Sequence, residues 1–565
     1  MAPGADQVRG RRAPRRVRLA VALTVAAAAA LTAPGPARAS PAQASPAQAS
    51  PSQAIRPERP NIVFVLTDDL DVGGMEHLPL TRALIGEAGA TFTRNFVNVS
   101  LCCPSRTTNF RGQYAHNTGV ENNGDNGVNG GYQAFLANDL ESDTIATRLQ
   151  AAGYRTALIG KYLNGYPGAT GPRYVPPGWS TWASAVAGNP YDQYRYTLNV
   201  DGRLKRFGSA REDYGATVQR RMADRFMERA SAAGAPFFLY LSLYAPHDPA
   251  IPAPGDDFRH AGAVAPRTPA FDQPDVSGMP QHVRDLPRLT ASRIAEIDAL
   301  HRLRLASLAG VDRTVAGLVD TLTRIGQLDN TYLVFTSDNG YHLGLHRMPA
   351  GKQTPYDSDT NVPLLVRGPG IAPGTRIDAL TGNVDYVPTF LTMAGVRVPR
   401  YVDGRSFLGL AASPGPTSRI GWRTGFLLEH WRERGLTPTN PPTVRSPTDE
   451  RPDLDQRSLP PPAGTPVADA AADGSGGARI VRTAFFDALN GIPDYVGVRT
   501  ATHIYVEYVT GERELYDVRT DPDQIRNLAS DPATAMLRRV LSMKLAELAR
   551  CRGRACHRAD RVFPD

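Results

Sequence analysis

The sequence predicts an α/β fold: a large, mixed, mostly parallel sheet flanked by helices, then a smaller C-terminal antiparallel sheet with a helix. Three observations predict it. Four runs, 61–66 (NIVFVL), 154–159 (YRTALI), 236–244 (PFFLYLSLY) and 331–336 (TYLVFT), are β-rich and almost continuously apolar, the mark of strands buried on both faces of a parallel sheet. Helical stretches lie between them, at 143–152 with Gly153 as its stop, and at about 291–325. Beyond about residue 400 the pattern changes to short strands at 495–499, 503–508 and 515–518, the last two joined by a turn at Thr510-Gly511, and then a helix to Arg550.

At the start of the chain, residues 1–18 are arginine-rich, 19–31 are apolar, and Ala37-Arg38-Ala39 is a small-x-small site. This reads as a secretory signal peptide cleaved after Ala39, too short and alanine-rich for a membrane span. Arg11-Arg12 and Arg15-Arg16 leave twin-arginine export open. The first 39 residues carry seven arginines and one aspartate, which is +6 of the formal +8, so the exported chain holds about +2. The support that a basic chain would lend to a nucleic-acid partner disappears. Residues 40–58, with Ser-Pro-Ala-Gln-Ala repeated up to Ala54, have nothing to bury and read as a tether. No later segment is apolar enough to span a bilayer. The remainder divides into a site-bearing region at 59–400 and a C-terminal subdomain at 401–565. The latter is interrupted at 435–477 by a stretch rich in Pro, Asp, Thr and Gly, read as a disordered insertion.

The first strand ends in Thr67-Asp68-Asp69-Leu70-Asp71. Adjacent carboxylates at a buried strand end are costly unless paired or metal-bound, and that edge is where open α/β sheets build sites. Asp71 reads as well as a helix cap. Next, 101–106 (LCCPSR) holds two of the chain's four cysteines. Pro104 suits a first helical turn, which places Cys102 just ahead of a helix N-terminus, a favourable position for an anion. Arg106, one turn in, adds a planar fork of donors. A vicinal pair that is merely buried, or half of a disulfide, is the alternative.

The second strand delivers Gly160-Lys161-Tyr162-Leu163-Asn164. The third runs into Ala245-Pro246-His247-Asp248, where an imidazole can protonate a departing alkoxide near neutral pH. A proline-rich loop at 252–287 is expected over the site. The fourth strand ends in Ser337-Asp338-Asn339-Gly340. Asp68, Asp69, Asp338 and the Asn339 amide oxygen form a hard oxygen set suited to one Ca²⁺ or Mg²⁺. With cysteine scarce and histidine unclustered, zinc does not fit. His342 is placed in the pocket and His346 on the surface.

Cys102-x-Pro104-Ser105-Arg106 resembles the signature of the type I sulfatases. Gly153-Tyr154-x-Thr156-x-x-x-Gly160-Lys161 resembles their second signature. The spacing from Asp338-Asn339 to Lys352 and on to 361–370 resembles the block around their second sulfate-binding lysine. Within the family the nearest resemblance is to the N-acetylglucosamine-6-sulfatases, through 101–103, 161–164, 340–342, 362–371 and the cysteine tail. The resemblance implies an alkaline-phosphatase-like fold. It also implies that a formylglycine-generating enzyme oxidises Cys102 to formylglycine (3-oxoalanine). One divalent cation, most often Ca²⁺, would be bound by Asp68, Asp69, Asp338, Asn339 and an oxygen of that residue. Lys161 and Lys352 would contact the sulfate, and His247 would protonate the leaving alcohol of a small sulfated sugar or aryl sulfate. His342 and Asn164 are candidate substrate contacts. Two departures stand out: Leu163 where the family often has histidine, and Arg111 before Gly112 where it usually has threonine or serine, a change to packing or pocket charge.

Cys551 and Cys556 are close enough in sequence to pair, and export allows the bond; so local a bridge would fix the tail. Cys103 has no evident partner. Two other readings fit the same sequence. One is a formylglycine-dependent phosphonate or phosphate ester hydrolase of the same superfold. The other is a secreted carbohydrate-binding protein with a degenerate site, against which the intact Asp68, Asp69, Cys102, Lys161, His247, Asp338, Asn339 and Lys352 argue.

Overall fold

The computed structural model describes residues 59–125, 128–433 and 491–564. The expected signal peptide, the tether up to residue 58 and the insertion at 435–477 lie outside the described residues. In chain order the strands that matter here are β1 (Asn61–Thr67), β2 (Ala90–Phe92), β3 (Arg155–Gly160), β4 (Thr181–Ala187), β5 (Thr197–Val200), β6 (Arg203–Arg206), β7 (Phe237–Ser242), β8 (Thr331–Ser337), β9 (Leu364–Arg367) and β10 (Thr375–Ile377). They form one ten-stranded sheet in the order β10-β2-β9-β8-β1-β7-β3-β4-β5-β6. Its centre, β8-β1-β7-β3-β4, is parallel. Antiparallel pairs flank that centre, with β9 on one side and the β4-β5-β6 meander on the other.

The apolar runs of the central strands are explained by what lies on either side. Every residue of β1, β7 and β8 is buried, and alternate side chains serve opposite cores, as the period of two requires. Ile62, Phe64 and Leu66 join one core with Phe110, Tyr240 and Phe390. Val63 and Val65 join the other with Phe226, Leu308 and Val315. Helices α1 (Cys102–Arg111), α2 (Ile145–Ala151) and α5 (Tyr386–Met393) contribute to the first face; α3 (Gly215–Ala232) and the 34-residue α4 (Ala291–Arg324) cover the second. The long helix begins where Thr290 caps it, its hydroxyl accepting from the Arg293 N–H at 3.2 Å.

Helix α1 is buried along all ten residues. It ends at Gly112, whose φ of +66° and close neighbours suit glycine: a Cβ there would meet Val387 and Val402 at 3.0 Å. Residues 252–287 are largely irregular, as expected, and pack on the loop after β8, where the Asp272 N–H donates to the Gly344 carbonyl and the His346 N–H to Ala270.

The C-terminal part is a four-stranded antiparallel sheet of β11 (Gly425–His430), β12 (Tyr495–Thr500), β13 (His503–Tyr508) and β14 (Arg513–Asp517), with helix α6 (Ala535–Leu548) against it. Phe96, Tyr114, Leu380 and Val384 share its core. A disulfide joins Cys551 and Cys556. Among the described residues no helix is long and apolar enough to cross a membrane.

The tail is tied back by His116, on the short helix Ala115–Thr118. Its Nδ1 lies 2.7 Å from Glu429 Oε1 and its Nε2 2.9 Å from the Cys551 carbonyl oxygen. Burial alone would lower the pKa of this imidazole, but Glu429 outweighs burial and raises it to about 9. A folded value above the unfolded one, near 6.5, means the charged pair stabilises the fold fully below about pH 6.5 and that this contribution is lost as pH rises through about 9. His116→Gln should therefore lower the unfolding free energy by about 1.5–3 kcal/mol at pH 6. The gap between wild type and variant in denaturant melts should close toward alkaline pH; a gap constant across that range would show a neutral pair.

Candidate active site

The register of the central strands builds the site. Thr67 of β1 pairs with Ser337 of β8, and Leu66 with Ser242 of β7, so their carboxyl ends are flush and the residues that follow emerge side by side. Asp68 and Asp69 leave β1, Asp338 and Asn339 leave β8, Lys161 follows β3, and His247 lies beyond β7. Asp69 takes a left-handed φ of +66°, a conformation aspartate tolerates better than most residues. Its N–H donates to Asp338 Oδ1 at 3.2 Å, which locks the two strand ends together.

Above them sits the start of α1. Cys102 is the first helical residue rather than one ahead of the helix, with Leu101 as the extended residue before it. Pro104 still falls in the first turn, where a missing N–H costs nothing. Arg106, one turn on, is wholly buried and spans the cluster. Its Nε donates to Asp338 Oδ2 at 2.8 Å, its Nη1 to Ser242 Oγ at 2.6 Å and to the Lys161 carbonyl at 3.2 Å, and its Nη2 lies 3.6 Å from Asp68 Oδ2. Lys161 Nζ is 2.7 Å from Asp68 Oδ2. Lys352 Nζ is 2.8 Å from Asp69 Oδ1 and 2.9 Å from Cys102 Sγ, and that sulfur is 3.5 Å from Asp68 Oδ1.

Three buried carboxylates (Asp68, Asp69 and Asp338) thus face three buried cations. Burial would raise the Asp68 carboxyl, but Lys161, His247 and Arg106 together hold it below its ordinary range. Burial likewise works against the charge on Lys161 and Arg106, and the carboxylates outweigh it and push both upward. Burial pushes the Cys102 thiol well up and that of Cys103 to about 12, so neither cysteine is a thiolate near neutral pH.

His247 Nδ1 lies 2.7 Å from the Asp248 carbonyl oxygen, so that nitrogen carries a proton and donates it. The other nitrogen, Nε2, faces Asp69 Oδ2 at 3.7 Å. The ring packs on Tyr191 with centroids 4.4 Å apart, and Lys161 Nζ lies 5.1 Å from the centre of the same tyrosine.

One ligand atom each from Asp68, Asp69, Cys102 and His247 lies within 4.8 Å of the others, a group that could hold a metal ion. Asp338 is not part of that group: its Oδ1 accepts from the Asp69 N–H and its Oδ2 from Arg106 Nε. Asn339 donates through Nδ2 to Asp69 Oδ1 at 2.6 Å, while its own Oδ1 is buried without a hydrogen-bond partner among the described residues. An unpartnered amide oxygen beside clustered carboxylates is a further donor open to a cation.

His342, Asn164 and His346 stand apart from this cluster. His342 is wholly buried, with Nδ1 3.0 Å from both Asp359 carboxylate oxygens, and it pairs with Gly351, the residue before Lys352, while Leu343 pairs with Ala350. Asn164 is 9% exposed, its Oδ1 has no hydrogen-bond partner among the described residues, and it lines a small, partly open pocket with Lys161, Tyr191 and Tyr244. His346 is not on the surface. It is fully buried, its Nδ1 is 2.7 Å from Gln273 Oε1, and burial lowers its pKa to about 3. The loop at 252–287 covers it. Arg111 turns away from the site: its guanidinium sits 4.3 Å over the Tyr401 ring and donates to Gln113 and to the Asp143 carbonyl, so the departure at this position is one of packing.

Two residues were not found by sequence reasoning. Tyr191 offers no signal beyond being aromatic. Arg304 does: it falls on the apolar stripe of α4, between Leu300 and Leu308, where a charge must be buried. It is 3% exposed and ties three loops together. Its Nη2 donates to the Asp69 carbonyl at 2.6 Å, its Nη1 to the Pro246 carbonyl at 3.2 Å, and its guanidinium lies 4.3 Å from the centre of Tyr341.

Fold and site together define an α/β protein with an enzyme-type polar centre at the carboxyl edge of a parallel sheet. The chain belongs to the sulfatase family, whose model matches residues 60–396. It is 35% identical over 524 residues to the N-acetylglucosamine-6-sulfatase of Capra hircus, across 89% of this chain and 86% of that one. It is 35% identical over 379 residues to an extracellular sulfatase SULF-1 homolog of Drosophila melanogaster. The match takes in 66% of this chain but 33% of that protein, and a Caenorhabditis elegans relative of the same kind is likewise spanned over 52% of its length. In fold it is similar to a protein solved with its substrate D-glucosamine-2-N,6-O-disulfate, with a TM-score of 0.65 at 22% identity over 88% of this chain and 98% of that one.

Because Arg304 holds the backbone of Asp69, Arg304→Met should weaken binding of a divalent cation about 10- to 100-fold in titration calorimetry, with Arg304→Lys between it and wild type. Unchanged affinity in Arg304→Met would show that the Asp69 loop holds itself.

Proposed function

We propose that the chain is an exported sulfatase that hydrolyses sulfate monoesters of a small sulfated amino sugar such as N-acetylglucosamine 6-sulfate, with aryl sulfates as surrogates. The observation that carries this reading is the place of Cys102, at a helix start 3.5 Å from Asp68 Oδ1 and 2.9 Å from Lys352 Nζ. Membership of the family supports the activity, the identity to an N-acetylglucosamine-6-sulfatase supports the substrate, and relatives named as extracellular support export.

Conversion of Cys102 to formylglycine by a formylglycine-generating enzyme supplies a hydrated aldehyde, with one hydroxyl to attack sulfur and a second to expel sulfate. Cys102 is wholly buried, so that oxidation has to precede folding. Asp68, Asp69, Asp338 and Asn339 would hold a Ca²⁺ or Mg²⁺ ion, which would supply Lewis-acid stabilisation of the sulfuryl oxygens.

The chain's own residues do the rest. Arg106 fixes Asp338 and Asp68 in place and, with Lys161 and His247, favours the ionised form of Asp68. Lys161 and Lys352 present fixed ammonium groups from opposite sides of the cluster to the charge that builds up on the sulfuryl oxygens, the kind of preorganised electrostatics that usually contributes most. With Nδ1 donating to the Asp248 carbonyl, His247 holds the transferable proton on Nε2 and delivers it to the departing alcohol oxygen. The partly open pocket beyond Lys161 is where the alcohol portion would enter. Tyr191 and Tyr244 offer apolar ring faces to a sugar, and Asn164 Oδ1 accepts from one of its hydroxyls.

Peptide mass spectrometry across residue 102 of the secreted protein should show the mass loss of a thiol becoming an aldehyde. Cys102→Ala should abolish turnover while Cys103→Ala keeps most of it; the opposite pattern would assign the nucleophile to the wrong cysteine. His247→Ala should cost about 10²–10⁴-fold on a sugar sulfate, whose alkoxide needs a proton, and far less on a nitrophenyl sulfate, whose phenolate does not. Equal losses on the two substrates would remove His247 from the proton transfer. Faster turnover of an aryl phosphonate than of the matching aryl sulfate would overturn the substrate class.

A further inference from the structure

We propose that the edge strand β6 and its flanks form a basic ridge that docks a sulfated polysaccharide chain running out of the active site. This rests on the sulfatase reading and extends it from a single sulfate ester to a polymeric substrate.

Strand β6 is the last of the ten, paired with β5 alone, and all four of its residues, Arg203, Leu204, Lys205 and Arg206, are exposed. Two more exposed arginines border the same hairpin. Arg173 Nη1 reaches the Gly202 carbonyl at the turn, at 3.5 Å, and the Arg195 N–H donates to the Gly208 carbonyl at 2.8 Å. Arg195, Arg203, Lys205 and Arg206 make no ion pair among the described residues. Two carboxylates border the hairpin and accept backbone N–H groups, Asp201 from Trp182 at 2.6 Å and Asp213 from Gly208 at 3.0 Å, and the five cations outnumber them. After the expected signal peptide the chain carries only about +2, so five cations on one edge are a local concentration, not the average surface.

Register connects this edge to the site. Lys205 pairs with Leu198, and Leu198 with Ala185. Arg203 shares that face with Lys205, while Arg206 lies on the opposite face at the strand end. Ala185 and Ser184 line the cavity that Lys161, Asn164 and Tyr191 also line. Two strand spacings of about 4.8 Å put Lys205 roughly 10 Å from the cavity wall, too far for the sugar that carries the reacting ester but within reach of its neighbours in a chain. Arginine predominates on the ridge, and its planar fork suits the oxygens of a sulfate. Charged residues also blunt an edge strand against pairing with another sheet. That role alone predicts no ligand, and the test separates the two.

The test compares wild type with the triple variant Arg203→Ser, Lys205→Ser, Arg206→Ser, with its thermal midpoint checked first because every substituted side chain is exposed. Two readouts are taken: the salt concentration that elutes the protein from immobilised heparin, and KM for a heparin hexasaccharide beside KM for nitrophenyl sulfate. The ridge predicts earlier elution and about a tenfold rise in the hexasaccharide KM at low salt, three exposed ion pairs counting about twofold each. It predicts no change with the aryl ester. Unchanged elution and KM would overturn it, leaving edge protection as the role. Equal losses on both substrates would overturn it too, as would single-stranded DNA displacing the protein from heparin as well as free heparin does. If nitrophenyl sulfate were not turned over by wild type, the sulfatase reading would fall, and elution would still decide the ridge.

Discussion

Everything in the site depends on one buried ion-pair system, Arg106 against Asp338 and Asp68, held where two parallel strands end in register. The guanidinium has no access to water and its partners have none either. Such a group is tolerable only because each charge is matched by an opposite one, and removing one partner would leave an uncompensated charge in the interior, a loss of about 3–5 kcal/mol. The arrangement therefore constrains the fold as much as the chemistry. α1 cannot shift along its axis without parting Arg106 Nε from Asp338, and β1 cannot slip against β8 without separating Asp68 from Asp338.

The balance of charge also says what the cluster is ready to accept. Three carboxylates and three cations cancel, and Lys161 and Lys352 contact carboxylate oxygens that also suit a hard metal ion. Adding a divalent cation would leave the centre net positive, and an anionic ester is the complementary guest. The same electrostatics disfavour Cys102 as a thiolate, since Asp68 and Asp338 add to burial in keeping it protonated, against the pull of the lysines. A neutral thiol in this place is a poor nucleophile, which agrees with a role that begins only after the side chain has been changed.

What could be read from the sequence follows from how local each signal is. β1, β7 and β8 are apolar end to end because both faces are covered, so residues 61–66, 236–244 and 331–336 announced themselves, and the acids after β1 and β8 marked the site. Helix α4, expected over about 291–325, spans Ala291–Arg324. β2, β9 and β10 are three or four residues long, and β5 and β6 are short and partly or wholly exposed, so none rises above the background of loops. The surface assignment of His346 failed because its burial comes from residues 252–287, distant in sequence and without regular structure. Arg304 was legible in principle, as a charge on the apolar side of a helix. Tyr191 was not: nothing local distinguishes a tyrosine that supports a histidine and a lysine from any other.

The C-terminal sheet, remote from the chemistry in sequence, reaches the centre through Lys352. The segment after that lysine is gripped from below. Tyr495 donates to the Gln353 carbonyl at 3.1 Å, Arg499 pairs with Asp357 at 3.0 Å, and Gln524 accepts from the Asp357 N–H at 3.2 Å. Tyr356 donates to the buried Glu514 at 2.8 Å, a carboxylate also held by Tyr508 and Tyr516. A loop anchored at three of its residues, Gln353, Tyr356 and Asp357, has little freedom left, and what remains at its start is the position of one ammonium group between Asp69 and Cys102. An ammonium on a four-carbon stem is among the most mobile of side chains. Holding its backbone rigidly is the means by which the chain places it, and this gives the second sheet a part in the site that no residue of its own plays directly.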